Sequence, residues 1–181
     1  FFKQHLYFGD KMLHRRGQFA EFFPEENLEN IVISMTGIGS SKEYSCLITN
    51  KMPDLQVQMN NQCFPLYYYE ENTAKQKGLF DGDSKEEYIR RDAISDFILE
   101  RAKKQYGKTV SKEDIFYYVY GFLHSPEYRT LFANDLKKML PRLPLVEDVK
   151  DFWAFSKAGR KLAELHINYE TVPAYPDVTV T

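Results

Sequence analysis

Ile31-Val32-Ile33-Ser34-Met35-Thr36-Gly37-Ile38-Gly39-Ser40-Ser41-Lys42-Glu43-Tyr44-Ser45-Cys46-Leu47-Ile48-Thr49 decides the fold class. Ile31, Ile33 and Met35 fall on one side of a period-two pattern, with Ser34 and Thr36 on the other; Tyr44, Cys46 and Ile48 repeat it against Ser45 and Thr49. Gly37 to Lys42 is rich in residues that tolerate turn dihedrals, so the two runs read as a hairpin. Downstream, Leu55, Val57 and Met59 alternate with Gln56 and Gln58 and predict a third strand. Gln62–Tyr69 predicts a fourth, with Phe64, Leu66 and Tyr68 on one side, and Pro65 confines it to an edge or a bulge. Upstream, Phe19, Phe22 and Phe23 precede Pro24, which opens the acidic segment Glu25–Glu29 as a turn or short helix.

After a polar stretch with Gly78 and Gly82, read as an exposed loop over 70–83, the period becomes helical. Ser84-x-x-Glu87 reads as a capping box for a helix carrying Ile89, Ala93, Ile94, Phe97 and Ile98 and stopping at Gly107. Ser111-x-x-Asp114 opens a second helix with Ile115, Val119, Phe122 and Leu123. Ser125-Pro126 starts a third, because proline at the first helical position loses no hydrogen bond. Its expected core face is Tyr128, Leu131, Phe132, Leu136 and Leu140, with Pro141 as its end. A fourth runs from about Asp148 to His166, with Phe152, Phe155, Gly159, Leu162 and Leu165 inward. Thr171–Thr181 reads as an extended strand. Strands first and helices second is an α+β order: an antiparallel or mixed sheet region over about 31–69, four helices over about 84–168, and an extended tail over 169–181.

The 181 residues suit one domain or a large piece of one. The chain opens Phe-Phe-Lys and closes in an extended run, so the expectation is a single fragment, 1–181, cut at both ends. A net charge of −2 excludes a uniformly basic nucleic-acid coat but not a local patch. No run of about 18 apolar residues exists to span a membrane. Cys46 and Cys63 form no C-x-x-C pair, and His5, His14, His124 and His166 lack the spacing that puts two imidazoles on one helical face. The cysteine usage favours a reducing, cytoplasmic setting. No metal site is expected.

Catalytic motifs are missing. Gly37-Ile38-Gly39 lacks the third glycine of a dinucleotide fingerprint, and a strand rather than a helix N-terminus follows it. Its glycines either solve a dihedral problem or let the backbone approach a ligand, and both readings stand. Glu25/Glu26, Glu70/Glu71, Glu86/Glu87 and Asp148/Asp151 lie in loops or at helix starts, where carboxylates favour the helix dipole or solvate the surface. Arg101, Lys103, Lys104, Lys108 and Lys112 form a basic run without an intervening acid, and Lys137, Lys138 and Arg142 form another. Cations near helix C-termini complement the dipole, or they form a phosphate-tracking edge. Tyr67-Tyr68-Tyr69 and Tyr117-Tyr118 could stack on bases or pack in the core.

Three stretches together carry a family resemblance: Val32–Lys42; Gln62-Cys63-Phe64-Pro65-Leu66-Tyr67; and the block Tyr118–Arg129 continued by Phe132–Pro144. Asp151–Phe155 and Gly159–His166 fit as well. Across residues 31–170 the chain resembles the C-terminal specificity domain of type ISP restriction–modification enzymes and their helicase–methyltransferase relatives. The resemblance implies a target-recognition role beside a nuclease, a helicase-like motor and an adenine-specific DNA methyltransferase on one polypeptide. Double-stranded DNA and the methyltransferase domain are then the partners, and S-adenosylmethionine, ATP and Mg belong to the parent. The Asn-Pro-Pro-Tyr/Phe methyltransferase motif and its Gly-rich cofactor loop do not occur here, so no catalytic residue and no cofactor is expected in this chain. The residues expected to meet DNA are Ser40, Ser41 and Lys42 in the hairpin loop and Lys137, Lys138 and Arg142 at the helical edge. Lys42 would meet a phosphate or read a guanine edge. A structural domain that couples to the methyltransferase without reading DNA is the alternative.

Overall fold

The computed structural model describes residues 19–54, 57–72 and 87–173. The hairpin is as expected: β1 (Val32–Met35) pairs antiparallel with β2 (Cys46–Thr49), Ile33 opposite Ile48. On its other side β1 pairs antiparallel with β3 (Gln62–Pro65), Ile33 opposite Phe64, so β1 is central. Pro65 therefore sits on an edge strand, where its missing N–H costs no ladder bond.

The expected fourth strand is in fact two. At Leu66 the chain leaves the first sheet and, as β4 (Tyr67–Glu71), pairs antiparallel with β5 (Tyr88–Asp92). Because the partner changes there, Phe64, Leu66 and Tyr68 do not share a face: Phe64 is exposed while Leu66 and Tyr69 are buried. Buried Asn30 joins the two sheets. Its Nδ2 donates to Phe22 O at 2.9 Å and Tyr67 O at 2.7 Å, and its Oδ1 accepts from Ile31 N and Tyr67 N. The segment before it, α1 (Phe19–Phe22) and a turn closed by Leu28 N donating to Glu25 O, lies beside β4.

Two other expectations fail for reasons of hydrogen bonding. Val57–Met59 is a turn, not a strand: Val57 N donates to Asp54 O, and Met59 and Asn60 have φ of 59° and 52°, which no strand can carry. Leu55 and Gln56 of that expected strand lie outside the described residues. Tyr88–Asp92 is β5 rather than a first helical turn, because its backbone groups are taken up by β4. Ser84 of the expected capping box, the loop from 73 to 83 and residues 174–181 of the expected tail also lie outside them.

The helix α2 (Asp96–Tyr106) instead starts at Ser95, whose Oγ accepts from Ile98 N, and stops as expected at Gly107, whose φ of 113° suits only glycine. Phe97 is 69% exposed; Ala102 and Tyr106 are the buried residues. The capping box of Ser111 and Asp114 opens α3 (Lys112–Leu123). Ser125 caps α4 (Pro126–Leu131), which ends sooner than expected; after a turn at Phe132 a second short helix, α5 (Ala133–Leu136), follows. This break rotates the apolar residues off one stripe, so Tyr128 and Leu136 are buried while Leu131 is 77% exposed and Phe132 lies at the surface. Asp148 caps α6 (Val149–Ile167), which buries Phe152, Gly159 and Ala163 and leaves Leu165 outside. A 3-10 turn, Tyr169–Thr171, follows α6 and takes the first residues of the expected extended tail; Val172 after it is extended.

The core lies where α3 and α6 cross over the first sheet. Tyr118, Tyr120, Leu123 and Phe152 are almost wholly buried, and the Tyr106 ring stacks on Phe152 at 4.1 Å. The two helices touch backbone to backbone: a Cβ on Gly159 would stand 2.0 Å from Tyr117 O, and one on Gly121 would stand 2.3 Å from Phe155 O. The order of strands then helices is that of an α+β domain.

Candidate nucleic-acid interface

The β1–β3 register gives the first sheet two chemically different ends. Ile31, Asn50 and Leu66 mark one end, where a groove is lined by Glu25, Glu26, Glu29, Asp54 and Glu113 against Lys51 and Arg90. An anionic ligand is repelled there. The opposite end carries two loops, 36–45 between β1 and β2 and 57–61 ahead of β3.

These two loops form one unit. Gly37 N donates to Met59 O, and a Cβ on Gly37 would stand 1.8 Å from Asn60 O, so only glycine lets the second loop close on the first. Beneath them is a buried polar layer: Ser34 Oγ donates to Gln58 Oε1 at 2.7 Å and accepts from Asn61 Nδ2 at 3.0 Å. Thr36 Oγ1 accepts from Ser45 N at 2.9 Å and pins the other side. A buried hydrogen-bonded network of this kind holds loop backbones in place. The Nε2 of Gln58 is buried without a partner among the described residues. At the surface, Ile38 is 52% and Val57 56% exposed beside the polar Ser41, Lys42 and Asn60.

The expected loop residues lie at this tip. Ser40 is half-buried and its Oγ accepts from Lys42 N at 3.0 Å, so it shapes the loop rather than facing outward. Ser41 is exposed, with its Oγ 3.5 Å from Met59 Sδ, and Lys42 is exposed without an ion-pair partner among the described residues. Lys137 and Lys138 are exposed just past α5.

Arg142 is exposed at the start of a strap, residues 142–146, that three tyrosines grip at alternate carbonyls. Tyr128 Oη donates to Arg142 O at 3.2 Å, Tyr118 Oη to Pro144 O at 2.6 Å and Tyr106 Oη to Val146 O at 2.6 Å. Burial pushes the Tyr118 hydroxyl up to about 12, which keeps it a donor. With Leu143 and Leu145 against the core, Arg142 and Pro144 face out. Among the described residues no hydrogen bond or ion pair joins Lys137, Lys138 or Arg142 to the loop tip.

The remaining candidates divide. Tyr117 and Tyr118 are core residues and cannot stack on bases. Tyr69 is buried and donates to Glu29 O, and Tyr67 lies under Arg90 at 4.4 Å and donates to Glu113. Within the basic run, Lys112 is held by Asp92 and Asp96, which raise its pKa, and Lys103 pairs with Glu100; Arg101, Lys104 and Lys108 stay exposed. His166 Nδ1 meets Tyr120 Oη at 2.5 Å, and His124 packs edge-on against both rings. Burial, then Arg129 and His166, hold His124 down to about 4. Among the described residues no group of histidine, cysteine and carboxylate side chains could hold a metal, and no helix is long and apolar enough to cross a membrane.

Sequence reasoning missed Gln58, Asn60 and Arg129. Asn60-Asn61 is a turn-forming pair and was the available signal for the second loop. Arg129 lies over the Tyr44 ring at 5.3 Å, joining α4 to the root of the first loop, a contact that no local pattern encodes.

Fold and tip define an α+β domain that presents paired loops on a rigid sheet. It belongs to the Type ISP C-terminal specificity domain family, whose profile matches residues 1–181. The chain is similar to part of the protein in the cryo-EM structure of the DrdV–DNA complex (32% identity, TM-score 0.76, 94% of this chain and 15% of that one). It is similar to part of the ATP-dependent Type ISP restriction-modification enzyme LlaBIII bound to DNA (30%, 0.76, 94% and 10%). A third likeness is to a nuclease-deletion mutant of the Type ISP enzyme LlaGI in complex with a DNA substrate mimic (34%, 0.65, 87% and 12%). The chain thus spans a small fraction of the length of these relatives. No curated protein matches it.

Proposed function

We propose that this chain recognises the target sequence in duplex DNA for a restriction–modification enzyme and does no chemistry of its own. The observation that carries the reading is kinship along the whole chain with a specificity domain, supported by relatives of 30–34% identity solved with DNA or a DNA mimic. The geometry agrees with it. The loop tip offers apolar Ile38 and Val57 for thymine methyls and the Asn60 amide, whose donor and acceptor match an adenine edge. Lys42 supplies a positive charge, with Lys137, Lys138 and Arg142 as a separate phosphate-tracking edge. The methyltransferase domain of the same cytoplasmic polypeptide is the covalent partner, and S-adenosylmethionine, ATP and Mg serve that polypeptide.

A second reading, coupling to the methyltransferase without contact to DNA, draws on exposed Leu131 and Met139, which flank α5 in the chain and suit a protein neighbour. Selection of bound duplexes from a randomised pool separates the two. The DNA reading expects one enriched motif, and Asn60→Ala should relax one base pair of it by roughly 1–3 kcal/mol. A bound pool as random as the input favours coupling.

A further inference from the structure

We propose that Arg129 anchors a backbone phosphate of the bound duplex at the root of the loop tip. The inference rests on the reading of the chain as a DNA-recognition domain and adds to it a residue that neither motif nor charge run singled out. Three cationic side chains among the described residues are half-buried: Lys103, Lys112 and Arg129. Lys103 is paired with Glu100, and Lys112 with Asp92 and Asp96. Arg129 meets no carboxylate and no hydrogen-bond acceptor among the described residues. Its five N–H donors therefore keep access to solvent, with no protein acceptor among the described residues, and are free to meet an acceptor from outside the chain.

What surrounds Arg129 defines that partner. Its guanidinium carbon lies 5.3 Å from the Tyr44 ring centroid, a cation–π contact that holds the planar group but leaves its charge unneutralised. Its charge is felt by buried Cys46 and Tyr120 and by half-buried His124, all uncharged at neutral pH; His124 is kept so first by burial and in part by Arg129 itself. The ligand is therefore an anion, and a guanidinium fork pairs two oxygens of one phosphate. Tyr44 lies near the end of the loop that carries Ser41 and Lys42, so a phosphate held here borders the groove that the tip enters. The acidic groove lies at the far end of the same sheet and cannot supply a carboxylate.

The test is a salt titration of binding between the 181-residue chain and a short labelled duplex of random sequence, with circular dichroism and thermal midpoint recorded for each variant. Arg129→Ala should weaken binding to any duplex and lower the salt slope by about one. Arg129→Lys, which keeps the charge but not the fork, should weaken binding with the slope unchanged. Arg129→Met keeps an apolar stem over Tyr44 and replaces the alanine variant should that one fail to fold. A lowered thermal midpoint with unaltered duplex affinity and slope makes Arg129 a structural cation over Tyr44 and overturns the proposal. So does capture of inorganic phosphate at Arg129 without any change in duplex binding. If Lys42→Ala changes the slope and the Arg129 variants do not, the anchor falls while DNA recognition stands. If the wild-type chain binds no duplex in a salt-dependent manner, both fall.

Discussion

Gly159→Ala tests the central packing of the fold. In an exposed helix interior this change stabilises by about 1 kcal/mol, because alanine loses less backbone entropy than glycine. Here the new methyl would stand 2.0 Å from Tyr117 O and 2.7 Å from Gly121 N. An ordinary carbon–oxygen contact is about 3.3–3.6 Å, so α3 and α6 must separate by more than ~1 Å. That movement loosens Tyr118 and Phe155, whose rings meet edge to face across the crossing, and the Phe122–Phe155 pair. Overpacking of this kind costs about 1–3 kcal/mol and occasionally more. Since backbone rather than a flexible side chain obstructs the methyl, we expect the upper part of that range, and a net loss of about 2 kcal/mol after the helix-propensity gain. For a domain of this size that lowers the melting temperature by roughly 4–8 °C. Urea unfolding followed by circular dichroism reads it, with Ala158→Gly at the neighbouring exposed position as the control expected to lose about 1 kcal/mol. A Gly159→Ala protein as stable as the wild type, or more so, refutes the close crossing.

Gly37→Ala should force the two tip loops apart, with a stability loss of about 1–3 kcal/mol in urea and a larger fractional loss of DNA discrimination than of non-specific affinity. Leu136→Ala should cost roughly 2–5 kcal/mol, whereas Leu131→Ala should stay within about 0.5 kcal/mol; equal losses would show that α4 and α5 form one continuous helix. Tyr118→Phe removes only the bond to Pro144 O and should cost about 1 kcal/mol, with faster amide exchange along the strap as its sign. His124 binds its proton more weakly folded than unfolded, so its contribution is present above about pH 6.5 and is lost as pH falls towards about 4. Urea unfolding across that window should therefore show a shallower fall in stability for His124→Gln than for wild type, and parallel profiles would contradict the burial of its neutral ring.

Elements whose boundaries are local chemistry were legible. Ser111 and Ser125 cap the helices they were expected to cap, and Asp148 caps the helix expected to begin near it, because a side-chain oxygen reaching an N–H two or three residues on needs no tertiary partner. The β1–β2 hairpin was legible because its alternation is interrupted by glycines. Elements defined by a distant partner were not. Tyr88–Asp92 carries apolar residues at spacings that a helix could use, and β4 makes it a strand. Leu55-Val57-Met59 alternates like a strand, yet left-handed backbone at Met59 and Asn60 turns the chain towards Gly37. The same division runs through the site. Ser41 and Lys42 follow from a glycine-rich loop, whereas Asn60 joins them only through the missing Cβ of Gly37. Arg129 has meaning only beside Tyr44, eighty-five positions earlier in the chain.

Exchange of the domain between enzymes is the most direct test of DNA target recognition. A Type ISP enzyme of known target, with its own C-terminal specificity domain replaced by this chain, is assayed for the sequence that it modifies across a whole genome. The account predicts a new target, the same one enriched by the isolated chain, and relaxation of that target when Asn60→Ala is introduced. An exchanged enzyme that is active and still modifies its original sequence would contradict it.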